Sequence, residues 1–164
     1  MPRSMILNAT VQTLSRRSPC IYSFAAFKRS LYSYCNEPAH PLDKQPKWMS
    51  ADEAMQFVKS DHHVFIQGAA ATPRALVPAL AEHGRKNNLK NVKVHHIHTE
   101  GKGEYLAEDL KDAFRSNSLF TGSNCRKPIA EGRADFTPIF LGDIPQLFFR
   151  GIIRPNVSLV QVTP

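Results

Sequence analysis

Two short segments hold residue types able to do chemistry. The first is Gln67-Gly68-Ala69-Ala70-Ala71-Thr72-Pro73, which follows an apolar run and precedes a helical pattern. Small side chains let backbone N–H groups approach an anion, and the helix that follows favours negative charge at its start. The segment contains neither GxGxxG nor the GK[ST] of a P-loop. An anion cradle and a plain tight strand-to-helix turn are therefore both open readings. The second segment, His98-Thr99-Glu100-Gly101-Lys102-Gly103, carries Glu100, a carboxylate of the kind that serves as nucleophile or base when exposed beside oxyanion donors. No second catalytic group stands near it in sequence, so a solvated loop glutamate is the competing reading.

Other reactive residue types carry weaker signals. His95, His96 and His98 suggest zinc, but alternate residues of a strand face opposite ways, so only His96 and His98 share a face and no metal site is expected. Cys125, near a helix start, is either a mildly acidic thiol or a small residue on a helix face. Arg126, Lys127 and Arg133 form the basic cluster of the body, suited to a phosphate or to a solvated helix face.

The elements that must position these residues alternate along the chain. Ser50-Ala51-Asp52-Glu53 is a capping box, which predicts a helix to about Lys59 with Ala54, Phe57 and Val58 inward. Val64–Ile66 reads as the first strand. Thr72 and Pro73 read as N-cap and first residue of a helix that stops near Gly84. Residues 92–98 form the next strand, and Leu106, Leu110 and Phe114 suggest a helix, although 114–120 fits an extended segment equally. Ser123 is placed as the cap of a helix to Glu131, with Gly132 as its stop. Strands at 136–141 and 157–162 flank a short helix bearing Ile144, Leu147 and Phe148. Strand and helix in alternation imply an α/β domain with an open, mostly parallel sheet and helices on both faces. In such a sheet ligands bind beyond the carboxyl ends of the strands, where both loops lie.

The 164 residues allow one domain of ordinary size. At 42% hydrophobic and 21% charged, the chain has a globular composition, and no apolar run is long enough to span a bilayer. Three cysteines without CxxC spacing indicate no disulfide framework. Five of the seven net positive charges lie before residue 37, in a segment with six serines and no acid. That is the composition of a mitochondrial transit peptide, so residues 1–36 are assigned as one, with a merely basic tail as the alternative, and the matrix as the expected compartment. Without this segment the body is nearly neutral, and neither a nucleic-acid nor a membrane partner is expected. Residues 37–48, with Pro38, Pro41 and Pro46, form a linker. The domain occupies 49–164, and its end directly after a buried-looking strand predicts truncation at the C-terminal side.

Three segments together carry a resemblance. Residues 64–76, residues 131–145 (Glu-Gly-Arg-Ala-Asp-Phe-Thr-Pro-Ile-Phe-Leu-Gly-Asp-Ile-Pro) and the closing residues 157–164 are similar to the N-terminal domain of the acetyl-CoA hydrolase/transferase family, which includes acetate and 4-hydroxybutyrate CoA-transferases. The resemblance implies an enzyme of two related α/β halves with the active site between them. In such enzymes a glutamate of the second half attacks the acyl-CoA carbonyl, giving a glutamyl-CoA thioester while the acyl group leaves as its carboxylate. The thioester then passes CoA to another carboxylate, or water hydrolyses it to free CoA and the glutamate. Coenzyme A is then a substrate, with no further cofactor, and this half contributes no catalytic residue. Placement at strand ends puts Gly68, Ala69, Ala70, Thr72, Pro73, Glu100 and Gly101 on the substrate-binding cleft. A second hypothesis is a non-catalytic short form that pairs with a full-length subunit or with itself through an exposed apolar face.

Overall fold

The computed structural model describes residues 45–162. The expected transit segment and most of the linker lie outside them.

The capping box forms as read. The Ser50 hydroxyl accepts from the Glu53 amide at 3.2 Å, and the Glu53 carboxylate accepts from the Ser50 amide at 2.7 Å. These bonds pull the Glu53 carboxyl below its ordinary pKa. The helix they start, α1 (Ala51–Met55), is shorter than expected. It buries Ala54 and Met55, and Val58 is buried just beyond it, whereas Phe57 is exposed. The expectation that Phe57 faces inward fails because the helical turn ends before it.

Five strands make one sheet: β1 (His63–Ile66), β2 (Val92–His96), β3 (Phe114–Ser118), β4 (Asp135–Phe136) and β5 (Val157–Leu159). Their order is β4-β3-β2-β1-β5, and every neighbouring pair is parallel. Val64 lies opposite Val94 on one side and Val157 on the other. The helices are α2 (Leu76–Lys86), α3 (Ser123–Ala130) and α4 (Ile144–Phe149).

Alternation along the strands splits the sheet into two unlike faces. Val64, Ile66, Val92, Val94, Phe114, Val157 and Leu159 point to one face and join Met55 of α1 and Leu76, Val77 and Leu80 of α2 in the main core. The opposite face is mixed. Near the carboxyl ends of the strands, Leu119 and Ile97 meet α4 through Ile144, Leu147 and Phe148, and Phe148 sets its ring edge against Phe65 at 5.4 Å. Lower down the same face is polar: His63 stacks on His95 at 5.0 Å, and Arg115 pairs with Asp135. Successive right-handed crossovers from β1 to β4 stay on one face, and the return to β5 through α4 uses the other. The chain is thus an α/β domain with helices on both faces.

Several element boundaries differ from the sequence reading. Gly84 does not stop α2. It lies inside the helix, where a Cβ would come within 2.4 Å of the Phe114 ring, so glycine lets that ring press on the helix. The segment 104–110 forms two tight 3₁₀ turns instead of a helix, and 114–118 is the extended alternative. Gly122 holds the cap position of α3, and Ser123 makes no capping bond. The strand expected at 136–141 is reduced to Asp135–Phe136: the Thr137 amide still donates to the Ser118 carbonyl at 3.0 Å, and Pro138 after it has no N–H with which to continue the ladder. The last strand ends at Leu159 instead of Val162.

Candidate functional site

The loops after β1 and β2 are bound to each other at the carboxyl end of the sheet. Gly68 lies so close to the second loop that a Cβ would fall 2.3 Å from the His98 carbonyl oxygen. This is a close approach that only glycine permits. The next residue, Ala69, donates its N–H to that same oxygen at 2.9 Å. Ala69 is held at φ 53°, in the left-handed region, which costs a non-glycine residue about 1 kcal/mol.

Thr72 explains how this conformation persists. Its hydroxyl donates to the Ala69 carbonyl at 2.7 Å and accepts from the Glu100 amide at 3.0 Å. The Thr72 amide also donates to the Ala69 carbonyl, at 3.0 Å. Both polar groups of the strained Ala69 backbone are therefore fixed, and the same hydroxyl fixes the backbone of Glu100. The reading of Thr72 as a helix N-cap is corrected: its oxygen is used across two loops, and α2 starts only at Leu76. Pro73 is buried beside Thr72 and accepts at its carbonyl from the Leu76 and Val77 amides.

A third element supports the second loop from below. Asn124, in the first turn of α3, donates to the Thr99 carbonyl at 3.0 Å and to the Thr99 hydroxyl at 3.1 Å. The Thr99 hydroxyl also meets the buried Tyr105 hydroxyl at 3.1 Å. Burial raises the Tyr105 pKa strongly, so this phenol stays protonated. Gln67 anchors the other side, where its side-chain carbonyl accepts from the Gln161 amide at 2.7 Å beyond β5.

The structure brings together Gly68, Ala69, Thr72 and Glu100 of the expected set through these bonds. Gly68 is half-buried, Thr72 and Pro73 are buried, and Ala69, Ala70, Glu100 and Gly101 are exposed. The buried members build the loop, and the exposed members form its outer surface. Asn124 was missed by sequence reasoning, and Gln67, though part of the first loop segment, was given no role. Nothing in a polar residue one turn into a helix, or one residue past a strand, marks such a partner beforehand.

The remaining reactive residue types are structural. His96 is buried beneath the sheet with its Nε2 at 2.7 Å from the Ser116 hydroxyl and 3.7 Å from the Cys125 sulfur. Burial lowers its pKa to about 4, so it is neutral. Burial also raises the Cys125 thiol, which corrects the acidic-thiol alternative in favour of the packing one. His95 faces the other way, with Nε2 at 3.0 Å from His63 Nδ1, and it too is depressed to about 4, by burial first and then by His63 and Lys93. Among the described residues, no group of three or more His, Cys, Asp or Glu has a metal-binding arrangement. The basic cluster is dispersed: Arg133 is tied to Glu131 and to the Leu106 carbonyl, Lys127 pairs with Glu131, and Arg126 is exposed. No helix among the described residues is long and apolar enough to cross a membrane.

Known proteins resemble the chain in sequence and in fold. The family described as "Acetyl-CoA hydrolase/transferase N-terminal domain" matches residues 41–164. The chain is 47% identical over 147 residues to a succinyl-CoA:acetate/propanoyl-CoA:succinate CoA transferase of Fasciola hepatica, which covers 87% of this chain but 30% of that protein. It is 34% identical over 117 residues to a 4-hydroxybutyrate coenzyme A transferase of Clostridium kluyveri, 71% of this chain and 27% of the other. The chain thus spans under a third of the length of these relatives. Among solved structures, RipA from Yersinia pestis shares the fold with a TM-score of 0.54 and 23% identity, over 63% of this chain and 26% of that one.

Proposed function

The chain belongs to the acetyl-CoA hydrolase/transferase family, as its N-terminal domain, and from that premise we propose that it forms one wall of a CoA-transferase active site. In the complete enzyme CoA moves from an acyl-CoA to a small carboxylate such as acetate or 4-hydroxybutyrate, which leaves the donor's acyl group as a free carboxylate. The attacking glutamate and its glutamyl-CoA thioester belong to the second half. This domain supplies the shaped loop surface against which substrate lies, with coenzyme A as substrate and no further cofactor.

The observation that carries the proposal is the bonding of the two loops: Ala69 held in a left-handed conformation by His98 and Thr72, with Glu100 fixed by the same hydroxyl. A strained, over-determined turn at the carboxyl end of a parallel sheet is a hallmark of a ligand-facing loop. Gly68, Ala69, Ala70, Thr72, Pro73, Glu100 and Gly101 compose it, the buried ones as its frame and the exposed ones as its surface. The domain alone lacks activity in this reading.

The test is a chimera in which residues 49–164 replace the matching part of the Fasciola hepatica enzyme. Transfer of CoA to acetate is expected, with a loss of at least tenfold in kcat/KM on Gly68→Val, whose side chain must displace the His98 carbonyl. A folded Gly68→Val chimera with unchanged kinetics would sink the assignment. We propose further that residues 1–36 direct import into the mitochondrial matrix. A fluorescent protein fused behind them that stays in the cytosol refutes this.

A further inference from the structure

We propose that the apolar ridge formed by Phe140, Leu141, Phe149 and Ile152 is the seat of the additional polypeptide present in full-length family members, which completes the core beneath it. The surface is argued from this structure; the identity of the occupant rests on the CoA-transferase reading above.

The cluster under the ridge is a core with one wall missing. Leu119, Ile144 and Ile153 are buried in it, while Ile97, Ile139, Leu147 and Phe148 are only partly covered. The ridge continues it outward through chain neighbours, since Phe140 and Leu141 follow Ile139, Phe149 follows Phe148, and Ile152 precedes Ile153. Phe140 is 83% exposed, Phe149 82%, Ile152 67% and Leu141 58%. Large apolar side chains concentrated on one short helix and its two flanks mark an interface, in contrast to scattered single ones.

The other exposed large apolar residues, Trp48, Phe57, Phe120, Phe136 and Val162, stand singly on separate segments. The outer side of α2 carries Glu82, Arg85 and Lys86 in ion pairs, and the lower part of the sheet face beside α4 carries Arg115 paired with Asp135. Both are adapted to water.

Two observations favour the family's further polypeptide over a second copy of this chain. The aligned stretches of this chain correspond to 30% and 27% of the two CoA transferases it matches, so most of each relative needs a surface to pack on. The cluster under the ridge also lies at the loop end of the sheet, since Ile97 and Leu119 directly follow β2 and β3. Phe120, directly after β3, sets its ring 5.9 Å from that of His98, whose carbonyl holds Ala69. A partner seated there lies at the same end of the sheet as the Ala69 and Glu100 loops, whereas self-association would bring two incomplete walls together.

The experiment co-expresses the 164-residue chain with the part of the Fasciola hepatica enzyme that lies outside the match. The wild type is expected to co-purify with it, and the triple variant Phe140→Ser/Phe149→Ser/Ile152→Ser to lose at least tenfold of the complex, with circular dichroism verifying its fold. Should the triple variant misfold, Phe140→Ser alone, on a loop, takes its place. Arg85→Glu on α2 is expected to leave the complex intact. Equal capture by wild type and variant overturns the surface. Homodimers of the wild type that the triple variant abolishes, without capture of the complement, overturn the occupant in favour of a second copy. Hydrogen exchange showing residues 139–153 protected in the isolated chain, and exposed once residues 1–44 are removed, overturns it in favour of the chain's own N-terminal segment. A complex that forms but does not transfer CoA leaves docking standing and removes the functional reading; an active complex indifferent to the triple variant does the reverse.

Discussion

The two faces of the sheet are built on opposite plans. On one, α1 and α2 close over Val64, Ile66, Val92 and Val94, and the main core is complete within the described residues. On the other, α4 covers a small cluster and leaves Phe140 and Phe149 in water, while His63, His95, Arg115 and Asp135 line the remainder. Stability resides on the closed face. The open face holds the surface available for association.

The largest effect that separates them is cavity formation. Leu80 is fully buried in the closed core, so Leu80→Ala is expected to reduce unfolding free energy by about 2–5 kcal/mol in urea titrations. Phe149→Ala removes a larger side chain from the open face and should change stability by no more than about 0.5 kcal/mol. Comparable losses at the two positions would mean that the ridge is covered and the contrast is wrong.

The histidines sharpen the same comparison by pH. His96 faces the closed side and His95 the open side, and each is held to about 4 in the folded chain against an ordinary 6.5. The unfolded chain takes up these protons near pH 6.5 and the folded chain only near 4. Their contribution is therefore complete above about pH 6.5 and is lost as the pH falls towards 4. For His96 the loss across this window is on the order of 3 kcal/mol. His96→Gln should flatten the acid limb of stability. His95→Gln should flatten it by a similar amount, because burial, with His63 and Lys93 beside it, holds His95 equally low. A His95→Gln variant whose acid limb stays as steep as that of the wild type would show that water reaches the stacked pair and that the open face is wet at this point too.

How far these faces were legible depends on whether a signal is local. The capping box was read correctly because Ser50 and Glu53 satisfy each other within one turn. The apolar strand β1 and the short α4 were legible for the same reason. Thr72 was misread, because a Thr-Pro pair before an amphipathic run is a helix start by local rules while its hydroxyl is claimed by Ala69 and by Glu100 across the loops. Gly84 was taken as a stop because the Phe114 ring that requires it arrives from another strand. Phe114 to Phe120 fitted two periods, and only pairing with β2 decides between them. In the candidate site, loop positions were visible from the strand ends, but Asn124 was not, since its partner Thr99 is distant in sequence.

The loops between the faces give an intermediate effect. Thr72→Val keeps the shape and removes two hydrogen bonds at a buried position, which should lower stability by about 1–2 kcal/mol. Its signature is local: the Glu100 amide should exchange faster with solvent while amides of β1 and β2 keep their protection. A uniform loss of protection would mean that the two loops are part of the closed core and not a surface feature attached to it.

The smallest effect tests the polar part of the open face. Arg115 and Asp135 make a bidentate contact at 2.6 and 2.7 Å between neighbouring strands, and the guanidinium holds the Asp135 carboxyl below its ordinary pKa. The pair contributes fully above the ordinary carboxylate range and fades below it as acid protonates Asp135. Both side chains are about half exposed, so solvent screens the attraction. Arg115→Ala should therefore cost under about 1 kcal/mol at low salt and still less at high salt. A cost of several kcal/mol that salt does not diminish would place the pair in a dry environment, and the lower half of the open face would then be covered as well. A small, salt-sensitive cost leaves this half in water and confines the unsatisfied apolar surface to the ridge beside α4.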